Sequence, residues 1–189
     1  NQSLTSINCT YNNLTSLDLS KNTSLANVTN AMIGNQSVSL KANFDGNMIV
    51  IPFENSNLDN DNYVSSTLDD YGDGSGFNFA SFIAYDVSEI DGGIEYYCNT
   101  KLAGSENMKV SVTVSRDFHQ VSFYADSENT SLIGRAFAND GQSVTAPEIK
   151  NPPQCKVLDT WSDTLDNVTG DKSIYANWKD AHSYSLSSF

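Results

Sequence analysis

"LTSINCTYNNLTSLDLSKNTSL" spans residues 4–25. Leu4-x-x-Ile7-x-Cys9-x-x-Asn12-x-Leu14 is followed by Leu14-x-x-Leu17-x-Leu19-x-x-Asn22-x-x-Leu25, and Leu25 stands 21 positions after Leu4, a 21-residue repeat unit. A repeat of this length reads as one coil of a solenoid. Ile7 and Cys9 would alternate on a short strand and point inward, as period two requires. Leu4 and Leu14 would fill the same core from the turns. Asn12 and Asn22 would turn inward, where their amides can satisfy backbone groups that the bends leave unpaired. Cys9 then acts as a small buried hydrophobe and not as a nucleophile. A lone amphipathic strand pair that carries leucines is the alternative.

The texture of "INCTYNNLTSLDLSKN" (residues 7–22) resembles the 21-residue leucine-rich repeats of bacterial surface proteins, internalin-like and BspA-like. The rhythm fails after Leu25 and Val28, because Asn30 and Ile33 stand where Cys and Asn should be. Residues 1–36 therefore read as the C-terminal coils of a longer array. Single coils are unstable alone, so either upstream coils precede this segment or the next module caps it.

Residues 37–117 lose that rhythm. "SVSLKANF" alternates Val38, Leu40, Ala42 and Phe44, and "NMIVIPF" follows after Asp45-Gly46-Asn47, which predicts a hairpin. "FNFASFIAYDV" is a bulky apolar run, and "GIEYYCNTKLAGSENMKVSVTVS" predicts two strands around Ala103–Asn107. Short strands with turn signals every ten residues or so predict a β-sandwich, Ig-like in class. The closing hairpin also resembles one that follows such repeat arrays in bacterial surface proteins.

Residues 118–180 carry Val121-x-Phe123, Gly141-x-x-Val144-x-x-Pro147, Trp161, and Ile174-x-Ala176-x-Trp178. Val121 and Phe123 would share one strand face, Trp161 would anchor the core, and "SIYANW" would form a last strand. A segment of this size sits near the lower limit for independent folding, so tight aromatic packing is expected. These landmarks resemble, in order, the Listeria–Bacteroides repeat, the B-repeat module of internalin-type proteins. The resemblance implies a small β-grasp-like sheet and a stalk or interaction role, with no catalytic residue. The chain departs from that pattern at Gln154–Leu158, where the family often has Gly-Tyr-Thr-Phe. Residues 181–189 read as a tail.

The fold class expected is mainly β, in three modules. The chain has 189 residues and a formal net charge of −13. Such a charge repels nucleic-acid phosphates and anionic membrane surfaces. No apolar run approaches the ~20 residues of a membrane span, so the chain is not expected to insert into one. Cysteines at 9, 98 and 155 form neither a disulfide framework nor a metal pair, and a Cys98–Cys155 bridge would join two modules. The chain begins inside a repeat pattern and reads as a fragment or mature segment. Eight Asn-x-Ser/Thr sequons occur, and they read as by-products of an Asn/Ser/Thr-rich repeat.

Catalytic signatures are missing. Two histidines, His119 and His182, are too few for a clustered zinc site. Ser75 lies in "DGSGF", which lacks the nucleophile-elbow spacing, and no glycine-rich phosphate loop is present. Asp59, Asp61, Asp69, Asp70 and Asp73 cluster among glycines and suit an irregular Ca²⁺ site. An EF-hand register from Asp69 would place Tyr71 third and Ala80 twelfth, where a bidentate Glu belongs, so a solvated acidic loop is the plainer reading. No cofactor is expected.

The function expected is non-enzymatic: adhesion or protein recognition at the bacterial cell surface or outside the cell. The partner would be a protein or glycan on a host or neighbouring cell. Ser6, Asn8 and Thr10, flanking Ile7 and Cys9, are the candidate binding residues. Two alternatives stay open. One is a structural spacer that presents an upstream repeat array, and the other is a calcium-stabilised surface module.

Overall fold

The computed structural model describes residues 2–25, 31–53, 63–72 and 79–181. They are mainly β, and their one helical element is a 3-10 turn over Val87–Glu89. The chain divides into two compact units, Asn1–Arg116 and Asp117–Phe189.

In the first unit, β1 (Ile7–Asn8) and β2 (Ala31–Met32) pair in parallel, Ile7 opposite Ala31 and Asn8 opposite Met32. That offset of 24 residues is three more than the 21-residue unit read from Leu4 to Leu25. Cys9, Leu19 and Leu25 are buried, whereas Leu4, Leu14 and Leu17 are half-buried. Asn22 is buried as expected, but Asn12 is exposed, and its amide reaches only the Thr10 carbonyl at 3.2 Å. The inward amide is Gln36 instead. It is fully buried, donates to the carbonyls of Cys9 (2.7 Å) and Ile33 (2.9 Å), and accepts from Leu14 N–H at 3.3 Å. A glutamine reaches those groups because its stem is one methylene longer and its backbone already belongs to a strand of the neighbouring sheet.

That strand is β3 (Gln36–Lys41). It pairs in parallel with β10 (Met108–Ser115), which pairs antiparallel with β9 (Ile94–Cys98), and β9 with β6 (Tyr63–Ser66). A second sheet runs β4 (Asn43–Asp45), β5 (Met48–Pro52), β8 (Phe79–Ala84) and β7 (Asp69–Gly72), with β4 and β7 at its edges. The alternating stretch "SVSLKANF" is thus divided at the fully buried Ala42, leaving one sheet as β3 and entering the other as β4. Chains that change sheet in this way form the corners of two-sheet packings. The expected β4–β5 hairpin is present, with Asp45 opposite Met48 across Gly46-Asn47. Gly46 has φ +59°, which a two-residue loop needs at its first central position.

The two sheets meet through rings. Phe82 of β8 lies 5.6 Å from Tyr96 of β9, and Phe53 is edge-on to both, at 6.0 and 5.3 Å. Ile49 and Ile51 of β5, Ile94 of β9, and Val110 and Val112 of β10 are buried in the same two sheets. At roughly 1.5–3 kcal/mol per buried large apolar side chain, this cluster is the main source of the unit's stability.

The leucine-rich residues are tied to that core by hydrogen bonds as well as contact. Tyr96 donates its hydroxyl to the Thr15 carbonyl at 2.7 Å. Leu19 N–H donates to the Thr100 carbonyl at 2.8 Å, and Ser37 N–H to the Asn12 carbonyl at 3.1 Å. The leucine-rich segment is therefore joined by hydrogen bonds to the sheet that follows it.

The second unit is one four-stranded sheet, in the order β12 (Leu132–Asn139), β11 (Phe118–Tyr124), β14 (Lys172–Asp180), β13 (Lys156–Trp161). The central pair β11–β14 is parallel and both outer pairs are antiparallel. Val121, Phe123 and Ile174 are fully buried, and Trp161 packs edge-on to Phe123 at 5.0 Å. Trp178, half-buried, donates its indole N–H to the Ala125 carbonyl at 2.7 Å. The segment after Gly141 (φ +74°) runs extended over this core, with Val144 N–H bonded to the Leu165 carbonyl at 2.9 Å.

Candidate recognition surface

The parallel β1–β2 pair places Asn8 beside Met32 on one face. Ser6 and Asn8 are exposed, and Met32 keeps 55% of its surface in solvent. Thr10 is half-buried. Its hydroxyl and its N–H both donate to Asn8 Oδ1, at 2.9 and 3.2 Å, and a Cβ on Gly34 would lie 2.6 Å from its methyl group. Thr10 is thus a bracing residue at the end of the exposed strand, while Ser6 and Asn8 are open to a partner.

Two residues extend this face that sequence reading did not select. Tyr11 is 90% exposed in a left-handed turn (φ +55°), with its N–H bonded to the Asn35 carbonyl at 3.1 Å. An aromatic residue in the polar run "TYNNL" was a signal available in the sequence. Met32 was not legible, because its position follows from the 24-residue offset. Beyond Tyr11, a cleft of about 350 Å³ opens between Ile33–Asn35 and Gly104–Asn107.

A larger groove of about 460 Å³ lies along Asp91–Glu95 and Ser111–Val114. Its carboxylates are already engaged, Glu95 with Lys109 at 2.6 Å and Asp91 with Arg116 at 3.4 Å. Such surface pairs contribute about 0–1 kcal/mol and leave the groove electrically quiet.

The thiols are free, Cys9 and Cys98 buried and Cys155 exposed. Cys9 directs its sulfur to the carbonyls of Met32 and Ile33, at 3.6 and 3.8 Å, and burial raises its pKa. It is a packed thiol and a poor nucleophile at neutral pH. Burial pushes the Cys98 thiol up to about 12, from an ordinary 9.0. The Tyr96 phenol is also raised, first by burial and then by Cys98. Unfolded, these groups would release their protons nearer pH 9.0 and 10.0. The stability they confer is therefore complete below about pH 9 and is lost as the pH rises toward 12, by ~1.4 kcal/mol per pH unit per proton. Thermal melts taken from pH 7 to 11 should stay level at first and fall beyond about pH 9. A flat profile to pH 11 would contradict this assignment.

His119 lies 3.0 Å from Asp140 and 3.9 Å from Asp171, joining the start of β11 to the turn after β12 and the entry to β14. His182 and Ser75 lie outside the described residues, as do Asp59, Asp61 and Asp73. Asp69 and Asp70 stand in β7, paired with Ile83 and Phe82. Among the described residues no group of three or more His, Cys, Asp or Glu could hold a metal ion. No described helix is long and apolar enough to cross a membrane. Compared with known proteins, the chain matches no protein-family model, no curated protein and no solved structure.

Proposed function

We propose that this chain is a non-enzymatic recognition segment of a bacterial cell-surface or secreted protein. In this reading the first unit is the last coil of a leucine-rich solenoid, closed by an Ig-like β-sandwich. The second unit is a β-grasp-like B-repeat, a reading supported by its strand order with a parallel central pair. The observation that carries the functional reading is the open face of Ser6, Asn8 and Met32, with Tyr11 beside it, on a strand pair whose back is packed. Conformationally fixed, solvent-exposed polar and aromatic side chains suit recognition more than they serve stability. The partner is a protein or glycan on a host or neighbouring cell.

The test is binding of the labelled chain to two panels, one of host matrix proteins and glycans and one of bacterial envelope fractions. Saturable binding to a component is expected, weakened about tenfold or more by the double substitution Ser6→Lys, Met32→Glu, which leaves the Asn8–Thr10 hydrogen bonds in place. Both positions are exposed, so the melting temperature should barely move. Binding nowhere would overturn the recognition role and leave a spacer that presents an upstream array.

A further inference from the structure

We propose that the cleft between Ile33–Asn35 and Gly104–Asn107 binds a neutral saccharide, with Tyr11 as its stacking platform. This deepens the recognition role and rests on it.

The cleft is built before any ligand arrives. One wall is held by Gln36, which donates to the Ile33 carbonyl at 2.9 Å, and by the Tyr11 N–H on the Asn35 carbonyl at 3.1 Å. The other wall is a loop tied on itself. Thr100, fully buried, shares a 2.8 Å hydrogen bond between its hydroxyl and that of Ser105. Ser105 also bonds to the Leu102 carbonyl through its hydroxyl (2.9 Å) and its N–H (3.1 Å). The same loop is anchored by Leu19 N–H on the Thr100 carbonyl. A binding site whose walls are already ordered loses little entropy on binding.

Its lining is chemically specific. Ile33 is the buried apolar residue of the cleft, at 9% exposure. Asn35, Glu106 and Asn107 line it with exposed side chains, and these make no hydrogen bond to other described residues. Each amide offers two donors and an acceptor, and a carboxylate offers acceptors only. That set complements the vicinal hydroxyls of a sugar ring, which donate and accept at once. Gly34 and Gly104 hold left-handed backbone, at φ +61° and +76°, and the space beside Gly34 is filled by Thr10, so both walls turn sharply without a side chain of their own at those points. Tyr11 adjoins the cleft through its N–H on the Asn35 carbonyl; its ring, apolar in face and polar at the tip, is 90% exposed outside the lining and can swing onto a ligand held there.

Charge selects among glycans. No lysine or arginine lines the cleft, Glu106 does, and the chain carries −13. Sulfated, phosphorylated or sialylated sugars would be repelled. The volume, about 350 Å³, is at the small end of the ~300–1,000 Å³ range of small-molecule sites, which favours a short glycan. A protein partner would instead need a larger apolar anchor pocket.

The experiment is titration of the full chain with maltose, lactose, mannobiose and chitobiose, and with sialyllactose as the anionic probe, followed by amide chemical shifts and calorimetry. At least one neutral disaccharide should saturate and shift the amides of Gly34, Asn35 and Gly104–Asn107. Tyr11→Ala and Asn107→Ala should each weaken it about tenfold or more, and Tyr11→Phe should retain it, with melting unchanged in all three. No shift of those amides by any neutral probe, or equal binding of sialyllactose, would overturn the proposal. If a panel protein binds and Tyr11→Ala abolishes it while no saccharide shifts the cleft, this face reads protein; the saccharide proposal fails and the recognition role stands. If nothing binds in either experiment, both fail.

Discussion

Replacing Gln36 with leucine should lower the melting temperature of the first unit by roughly 10–15 °C. The side chain is fully buried, so leucine fits its volume but supplies no polar atom. Three backbone groups then lose a partner: the carbonyls of Cys9 and Ile33 and the N–H of Leu14. An unsatisfied buried group costs about 1–3 kcal/mol. The expected loss is about 3–4 kcal/mol, because some backbone will relax toward water. In a unit of this size each kcal/mol moves the midpoint by about 3–6 °C. Amide exchange should accelerate first around Cys9–Leu14 and Ile33–Gln36, where the leucine-rich segment meets the sheet. Gln36→Glu should be as damaging, since it replaces the two donated hydrogen bonds by carboxylate–carbonyl repulsion. A shift below about 3 °C for the leucine variant would mean that the amide is not what holds the leucine-rich segment to the sheet.

The second large effect is expected in the other unit. Phe123→Ala removes a fully buried ring that meets Trp161 edge-on at 5.0 Å. Large-to-small aromatic substitutions in cores cost about 3–5 kcal/mol. The whole stability of a domain is about 5–15 kcal/mol, and a unit this small sits at the lower end. Phe123→Ala should therefore leave the four-stranded sheet largely unfolded near 37 °C. Both tryptophans, Trp161 and Trp178, belong to this unit, so indole fluorescence reports on it directly. Emission should shift toward that of solvated indole in the alanine variant. Phe123→Leu, which keeps most of the volume, should cost less than about 1.5 kcal/mol and keep the native spectrum. Native emission from Phe123→Ala at 37 °C would show that the core can collapse around the gap.

Local pattern made much of this legible. The period-two runs at "MIVIP", "IEYYC" and "MKVSVTV" announced β5, β9 and β10, because a strand with one buried face must alternate. Asp45-Gly46-Asn47 announced its hairpin through a glycine with a left-handed φ. Ser6 and Asn8 could be assigned to an exposed face from the spacing around Ile7 and Cys9. These readings depend on residues a few positions apart, so the sequence by itself determined them.

Other features depended on residues far apart in the chain. Asn12 had the right chemistry for the inward amide, but its turn points outward, and the position is filled by Gln36, 27 residues after the Cys9 whose carbonyl it binds. The division of "SVSLKANF" at Ala42 exists because β3 finds its partner in β10, more than 60 residues later, while β4 finds β5 next door. Met32 enters the candidate surface only through the parallel offset of 24 residues. The cleft beside Tyr11 is made by two segments about 70 residues apart in the chain. Alternation and turn chemistry are written residue by residue. Which strand lies beside which, and which amide reaches a buried carbonyl, is decided only when distant segments compete for the same core.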